Sequence, residues 1–275
     1  MENWAPSVWI SNHVVSTDAI CVLLLHGVGG SAAMWSGVMK ALAKQGIAAQ
    51  ACDLPGYGAN KASSMGFEQI SQQLSDAIHD LQTRLGCRGF ILVGHSYGGM
   101  IVQDFLARVT SANSLVTGVV LLCTSAAFGK TDGDFQKRFI ESRLSPLRQG
   151  KSMLDVAKNL IPIMVGSNAD PSVTSSATEM MGLVSPQTYE NAVQMIAHFD
   201  QRSNLSKITT RCLLISASED TTAPPAIMDG MHKRVPGSSF VQAQGAGHLL
   251  PMEQPDWVAA QLKATFFSQI CITEQ

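Results

Sequence analysis

A serine between two glycines, Gly94-His95-Ser96-Tyr97-Gly98, closes an apolar run that begins at Ile91. A helix-like pattern continues from it through Val109. Gly-x-Ser-x-Gly between a strand and a helix puts a hydroxyl on a turn tight enough to lift it off the end of a sheet. Glycines two positions to either side remove side chains that would strike the neighbouring chain. A helix starting there aims free N–H groups and a positive dipole end at an oxygen that turns negative during attack. Such a nucleophile needs a base, and the base needs a group to orient it. His248 follows a strand-like run and sits in Gly245-Ala-Gly-His-Leu-Leu-Pro251, among glycines that allow close approach. Glu219 or Asp220 follows the apolar run Arg211–Ala217 directly, at the strand end where open α/β sheets carry their ligands. Serine, acid and histidine come in the chain order that accompanies this motif. A glycine-rich turn with an incidental serine would need none of these companions.

Other reactive residues read more plainly. His26-Gly27-Val28-Gly29-Gly30 follows the apolar run Ile20–Leu25 but lacks the lysine, the Ser/Thr and the spacing of a phosphate loop. Its other use is to aim a backbone N–H at an oxyanion. Asp53, in the turn-rich loop Asp53-Leu-Pro-Gly-Tyr-Gly58, is either a catalytic acid or a tie for that loop, and the tie is favoured. His26 and His95 read as structural and His79 as a surface residue, while His13, His198 and His232 have no partner pattern. No cluster has metal-ligand spacing, so no metal is implied, and no cofactor is expected.

The elements that must position these residues alternate. Apolar runs at Ile20–Leu25, Ile47–Cys52, Phe90–Gly94, Val119–Cys123, Arg211–Ala217 and Ser238–Gln244 read as strands. Residues 7–16 read as an edge strand or hairpin. Helical patterns lie between them, at about Ala33–Gln45 and Phe67–Leu85, with a closing helix at about Asp256–Ile270. This alternation implies a parallel sheet with helices on both faces. From Phe128 to about Leu205 it stops. Helical patterns such as Met153–Met164 and Thr188–Phe199 occur there, broken by Pro146, Pro162, Pro171 and Pro186. We read this as an inserted helical lid, 128–205, on a core made of 1–127 and 206–275. Trp35, Arg143, Met153 and Met164 are candidate substrate contacts. Methionines adapt to apolar ligands or fill a small core, and an arginine (Arg138, Arg143 or Arg148) would suit a carboxylate.

Composition narrows the function classes. With 45% hydrophobic and 15% charged residues over 275, the chain can bury a large core. A net charge of −2 gives no electrostatic case for nucleic acid, and the apolar runs are too short to span a membrane. The first basic residue is Lys40, so the start lacks the basic region of a signal peptide. Six cysteines, none in a Cys-x-x-Cys pair, read as reduced core residues of a cytoplasmic protein. The expected partner is a small-molecule substrate; monomer and homodimer both stay open.

Over nearly its whole length the chain resembles the α/β-hydrolase superfamily. The resemblance rests on His26-Gly27, Asp53-Leu-Pro-Gly-Tyr-Gly58, Gly94-His-Ser-Tyr-Gly-Gly99, Asp220 ahead of Pro224-Pro225, and Gly247-His248 with Glu253-Gln-Pro255. Ser185-Pro186, Tyr189 and Ala246-Gly-His-Leu249 look most like 3-oxoadipate enol-lactonase and related lid-bearing esterases. The resemblance implies Ser96 as nucleophile, His248 as general base and Asp220 as the orienting acid. It selects Asp220 over Glu219 because Ala217 fills the small position three residues before the family's acid. It implies backbone N–H groups of Val28 and Tyr97 as the oxyanion hole, with Gly29 as the alternative donor. The implied reaction is hydrolysis of a small or medium, largely apolar ester or (enol-)lactone. A carbon–carbon hydrolase of a ring-fission product, a small-amide hydrolase, a cofactor-free oxygenase or lyase, and a non-catalytic receptor are the competing readings.

Overall fold

The structure is a computed structural model that describes residues 9–12, 19–61, 66–109, 113–129 and 134–268. His13, Cys271, Ile270 and most of the expected 7–16 hairpin lie outside the described residues.

Among the described residues seven strands form one sheet: β1 (Trp9–Ser11), β2 (Ile20–Leu25), β3 (Ala49–Cys52), β4 (Gly89–His95), β5 (Val116–Leu122), β6 (Cys212–Ala217) and β7 (Ser239–Ala243). Their spatial order is β1-β3-β2-β4-β5-β6-β7. Only edge strand β1 runs antiparallel; the other neighbours are parallel. The continuous apolar runs have a direct cause. Alternate residues of β2 enter different layers, Cys21, Leu23 and Leu25 on one side and Val22 and Leu24 on the other. Both faces are covered, so both sets must be apolar. Leu74 and Ile78 of α2 (Phe67–Leu85) and Phe105 of α3 (Tyr97–Arg108) fill one layer. Trp35, Leu42 of α1 (Ser36–Lys44) and Leu262 of the last long helix fill the other.

The described residues between β5 and β6 form the helices α4 (Asp134–Arg148), α5 (Met153–Leu160), α6 (Pro171–Gly182) and α7 (Pro186–Ala197). The prolines expected to break this region act differently. Pro171 and Pro186 start α6 and α7, behind the capping side chains of Asp170 and Ser185. A first-turn proline has no N–H to lose there. Pro146 lies inside α4, close to its end, where it removes one hydrogen bond and the helix still reaches Arg148. Only Pro162 falls at a helix end, in a short 3-10 turn after α5. Among the described residues after β6 are the helices α8 (Pro225–His232), α9 (Leu250–Glu253) and α10 (Pro255–Phe266). The closing helix thus ends earlier than its apolar pattern suggests.

Strands β2 and β4 and the start of α3 meet at the two glycines of the serine motif. A Cβ on Gly98 would overlap the carbonyl oxygen of Leu25, and one on Gly94 would overlap that of Gly98. Backbone atoms cannot move aside cheaply. Gly98→Ala should therefore cost about 2–3 kcal/mol or more and lower the Tm by roughly 5–10 °C. Gly230→Ala in α8, where a Cβ meets nothing within 4 Å, should be neutral or stabilising by up to about 1 kcal/mol. Thermal unfolding of the two variants checks this, and equal Tm values would contradict the packing described.

Candidate active site

Ser96 joins β4 to α3 with φ 53° and ψ −115°. Left-handed φ is costly for a residue with a Cβ, so its surroundings must hold it there. Ser96 N–H donates to Leu122 O at 2.9 Å. Its carbonyl accepts from Gly99 N–H at 2.9 Å and from Thr124 Oγ1–H at 2.7 Å. These bonds tie the turn to β5 on one side and to the first turn of α3 on the other.

Ser96, His248 and Asp220 come together from three elements. Ser96 Oγ–H donates to His248 Nε2 at 3.0 Å, and His248 Nδ1–H donates to Asp220 Oδ2 at 2.8 Å. His248 and Asp220 are buried, 2% and 3% exposed, so neither can exchange its partner for water. Burial acts to raise the Asp220 pKa. The His248 charge, its hydrogen bond and those from Ala223 and Thr222 N–H outweigh it and hold the carboxyl below its ordinary value. An ionised Asp220 accepts only, which puts the imidazole proton on Nδ1 and leaves Nε2 facing the serine. Glu219 points elsewhere. It is exposed and accepts from Ser167 N–H at 2.6 Å and Ser167 Oγ–H at 2.8 Å.

His248 is also held through its backbone. Its N–H donates to Met164 O at 2.6 Å, and its carbonyl accepts from His95 Nε2–H at 2.7 Å. Behind it, Glu253 Oε2 accepts from Gly166 N–H at 2.8 Å and Gly247 N–H at 2.9 Å. Glu219 and Glu253 thus tie the segment around Ser167 to the two loops that carry Asp220 and His248. The Glu253-Gln-Pro255 motif was visible in the sequence; its contact with Gly166, 87 residues away, was not.

Gly27 passes so close to Ser96 that a Cβ on it would stand 3.2 Å from the serine Cβ. The turn that carries Val28 is pinned from both ends. Gly30 N–H donates to Gly27 O at 3.0 Å. His26 Nδ1–H donates to the same carbonyl at 2.7 Å, while its Nε2 accepts from Leu54 N–H at 3.0 Å. Asp53 accepts from Ala32 N–H and Ala59 N–H, both at 2.8 Å, so it ties two loops. Tyr97 opens α3, where the first N–H groups of a helix have no intrahelical acceptor.

A cavity of about 130 Å³ opens over Ser96 and His248. Its walls are largely apolar and rich in methionine: Met34, Met100, Met164, Met180, Met181 and Met252. Of the expected substrate contacts, Met164 and Arg143 line it. Trp35 and Met153 do not and are corrected here. Trp35 is fully buried in the layer under α1, and in its short 3-10 turn the neighbouring Met34 faces the cavity instead. Met153 starts α5 and is buried in the core. Tyr189, Val193 and Ile196 of α7 also line the cavity. Periodicity marks them as buried but not against what. Among the described residues no cluster of three or more His, Cys, Asp or Glu side chains could hold a metal ion, and no helix is long and apolar enough to cross a membrane. Cys21, Cys52, Cys87, Cys123 and Cys212 are buried and free.

Residues 22–261 match the profile described as the alpha/beta hydrolase family. Curated relatives include a karrikin insensitive 2 receptor (IA) of Petunia hybrida, 23% identical over 90% of this chain and 90% of the relative. A pimeloyl-[acyl-carrier protein] methyl ester esterase of Neisseria meningitidis serogroup B is 25% identical over 82% of this chain and 85% of its own length. Among solved structures, the enol-lactonase of Burkholderia xenovorans LB400 superposes with a TM-score of 0.79 at 19% identity, covering 94% of this chain and 96% of that one.

Two buried imidazoles near the site set a pH limit. Burial pushes His26 down to about 4 and His95 down to about 3. Below the ordinary histidine pKa of about 6.5 the unfolded chain takes up protons that the folded rings still refuse. Stability must therefore fall as pH drops from about 6.5 toward 4, by up to about 1.4 kcal/mol per pH unit for each ring. Denaturant unfolding at pH 7, 6, 5 and 4.5 should show this decline; a flat profile would contradict the neutral, buried state of both.

Proposed function

The chain belongs to the alpha/beta hydrolase family, and we propose that it is a serine hydrolase of a small, largely apolar carboxylic ester or (enol-)lactone that works through an acyl-enzyme. The observation that carries this reading is the unbroken Asp220, His248, Ser96 hydrogen-bond chain at the floor of an apolar cavity. The methyl ester esterase and the enol-lactonase among its relatives accord with it.

In this mechanism Ser96 Oγ attacks the acyl carbon while its proton passes to His248 Nε2. Asp220 orients the imidazole and stabilises the imidazolium. The oxyanion sits against the N–H groups of Val28 and Tyr97, each worth roughly 3–4 kcal/mol where such donors have been removed in another hydrolase. Collapse expels the alcohol or enol oxygen, which takes the proton from His248. Water then attacks the acyl-enzyme, gives its proton to His248, and Ser96 leaves with that proton restored. Nothing in these steps calls for a cofactor. Helices α4–α7, within 128–205, act as the lid of a core formed by 1–127 and 206–275. An apolar cavity of about 150 Å³ holds benzene, so the part of the substrate seated in this cavity is of that order. The buried, free cysteines suit a reducing compartment, and we place the protein in the cytoplasm.

Hydrolysis of a short-chain nitrophenyl ester tests the reading. Ser96→Ala should abolish it, and Asp220→Asn should lower kcat about 10⁴-fold. An Asp220→Asn rate near wild type would overturn the assignment of the acid. A wild type inert to esters that consumes oxygen with a heteroaromatic substrate would move the reaction to the oxygenase class.

A further inference from the structure

His248 follows Gly245, Ala246 and Gly247, a turn with almost no side chains to pack it in place. Its imidazole can serve Ser96 and Asp220 together only if that backbone is held from outside. Gly245 N–H donates to Ser218 Oγ at 2.9 Å, and Ala246 O accepts from Glu219 N–H at 2.9 Å. His248 itself is held by Met164 O and by His95 Nε2–H. The remaining group, Gly247 N–H, goes to the Glu253 carboxylate. That carboxylate also takes Gly166 N–H, from the helical insertion. The two glycines lie at backbone contact. A Cβ on Gly166 would overlap Gly247 N, and one on Gly247 would overlap Met164 O and Gly166 N. No side chain fits between the segments, so whatever joins them must reach in from the side.

Glu253 Oε2 does this alone: both N–H groups converge on the one oxygen, at 2.8 and 2.9 Å. Two N–H dipoles aimed at one point repel each other unless an acceptor stands there, and an anion is the strongest acceptor. Burial raises the Glu253 pKa, while the N–H groups of Gly247 and Leu249, on either side of His248, favour its charged form. The same contact reaches the cavity, because Met164 lines it with its side chain and holds His248 with its carbonyl. We propose that Glu253 is a positioning residue of the reaction: its carboxylate clamps Met164–Gly166 to Gly247 and thereby keeps the His248 imidazole in line with Ser96 and Asp220. It touches no reacting atom and acts through the histidine. The effect on rate rests on His248 being the base of a hydrolase; the placement of the ring does not.

Glu253→Leu and Glu253→Gln separate the clamp from mere packing. Leucine keeps an apolar bulk and accepts nothing; glutamine keeps an oxygen that can accept both N–H groups without the charge. With a short-chain nitrophenyl ester, Glu253→Leu should lose about 10- to 100-fold in kcat, because the base is misplaced. Its KM should stay within about 2-fold of wild type, since no substrate contact is removed. Glu253→Gln should recover most of the rate, to within about 5-fold of wild type. If Glu253→Leu does not fold, Glu253→Asp replaces it: still charged but one methylene shorter, it should show the same loss in kcat at unchanged KM. A wild-type kcat in the Leu or Asp variant, or a Gln variant as slow as Leu, overturns the clamp and leaves the hydrolase intact. If the wild type turns over no ester, the hydrolase reading fails instead. The far-downfield proton resonance of His248 Nδ1–H then decides the placement. Its loss in the Leu or Asp variant with retention in Glu253→Gln upholds the clamp, and the same spectrum from wild type and variants overturns it.

Discussion

The site depends on one backbone torsion. Ser96 holds φ 53° at the junction of β4 and α3, a conformation that costs of order 1–3 kcal/mol for a residue with a side chain. It survives because it is over-determined. Hydrogen bonds from both neighbouring elements fix its N–H and C=O, and Gly94 and Gly98 let β4, β2 and α3 approach to backbone contact. Relaxing the torsion would break those bonds together. The other left-handed non-glycine among the described residues is Cys123, at the end of β5 beside Asp220. Among the described residues the left-handed non-glycine positions thus lie at two strand ends that face the same cavity.

Around this fixed oxygen the polar groups form one directed hydrogen-bond chain, from Ser96 through His248 to Asp220. Asp220 is ionised and saturated with donors, which sets the His248 tautomer. His26 and His95 are also buried, but each spends a ring N–H on a carbonyl, Gly27 in one case and His248 in the other. Burial keeps them neutral, and both brace the backbone around Ser96 and His248. Two more carboxylates, Glu219 and Glu253, anchor the helical insertion beside Met164 to the acid and histidine loops. The wall above the serine is therefore tied to the groups below it.

Much of this was legible in the sequence because it is local. Gly-x-Ser-x-Gly encodes a turn, continuous apolar runs encode strands buried on both faces, and helix α2 follows its periodicity to both ends. What failed were features set by one-residue geometry or by distant partners. Pro171 and Pro186 read as breaks but sit at first turns, which only the preceding cap residue distinguishes. Trp35 and Met34 are adjacent, and a 3-10 turn decides which of them faces the cavity. Arg143, Arg138 and Arg148 share one helix, and only its packing against α7 singles out Arg143. Contacts such as Glu253 with Gly166 join residues with no pattern between them.

In the proposed reaction Ser96 Oγ forms a covalent bond to an acyl carbon. Intact mass after brief exposure to a panel of activated esters and enol lactones tests it, followed by peptide mapping. A gain of one acyl mass, mapped to Ser96 in the wild type and absent from Ser96→Ala, is the expected result. No adduct on either protein, or the same adduct on both, would contradict the assignment of Ser96 as nucleophile.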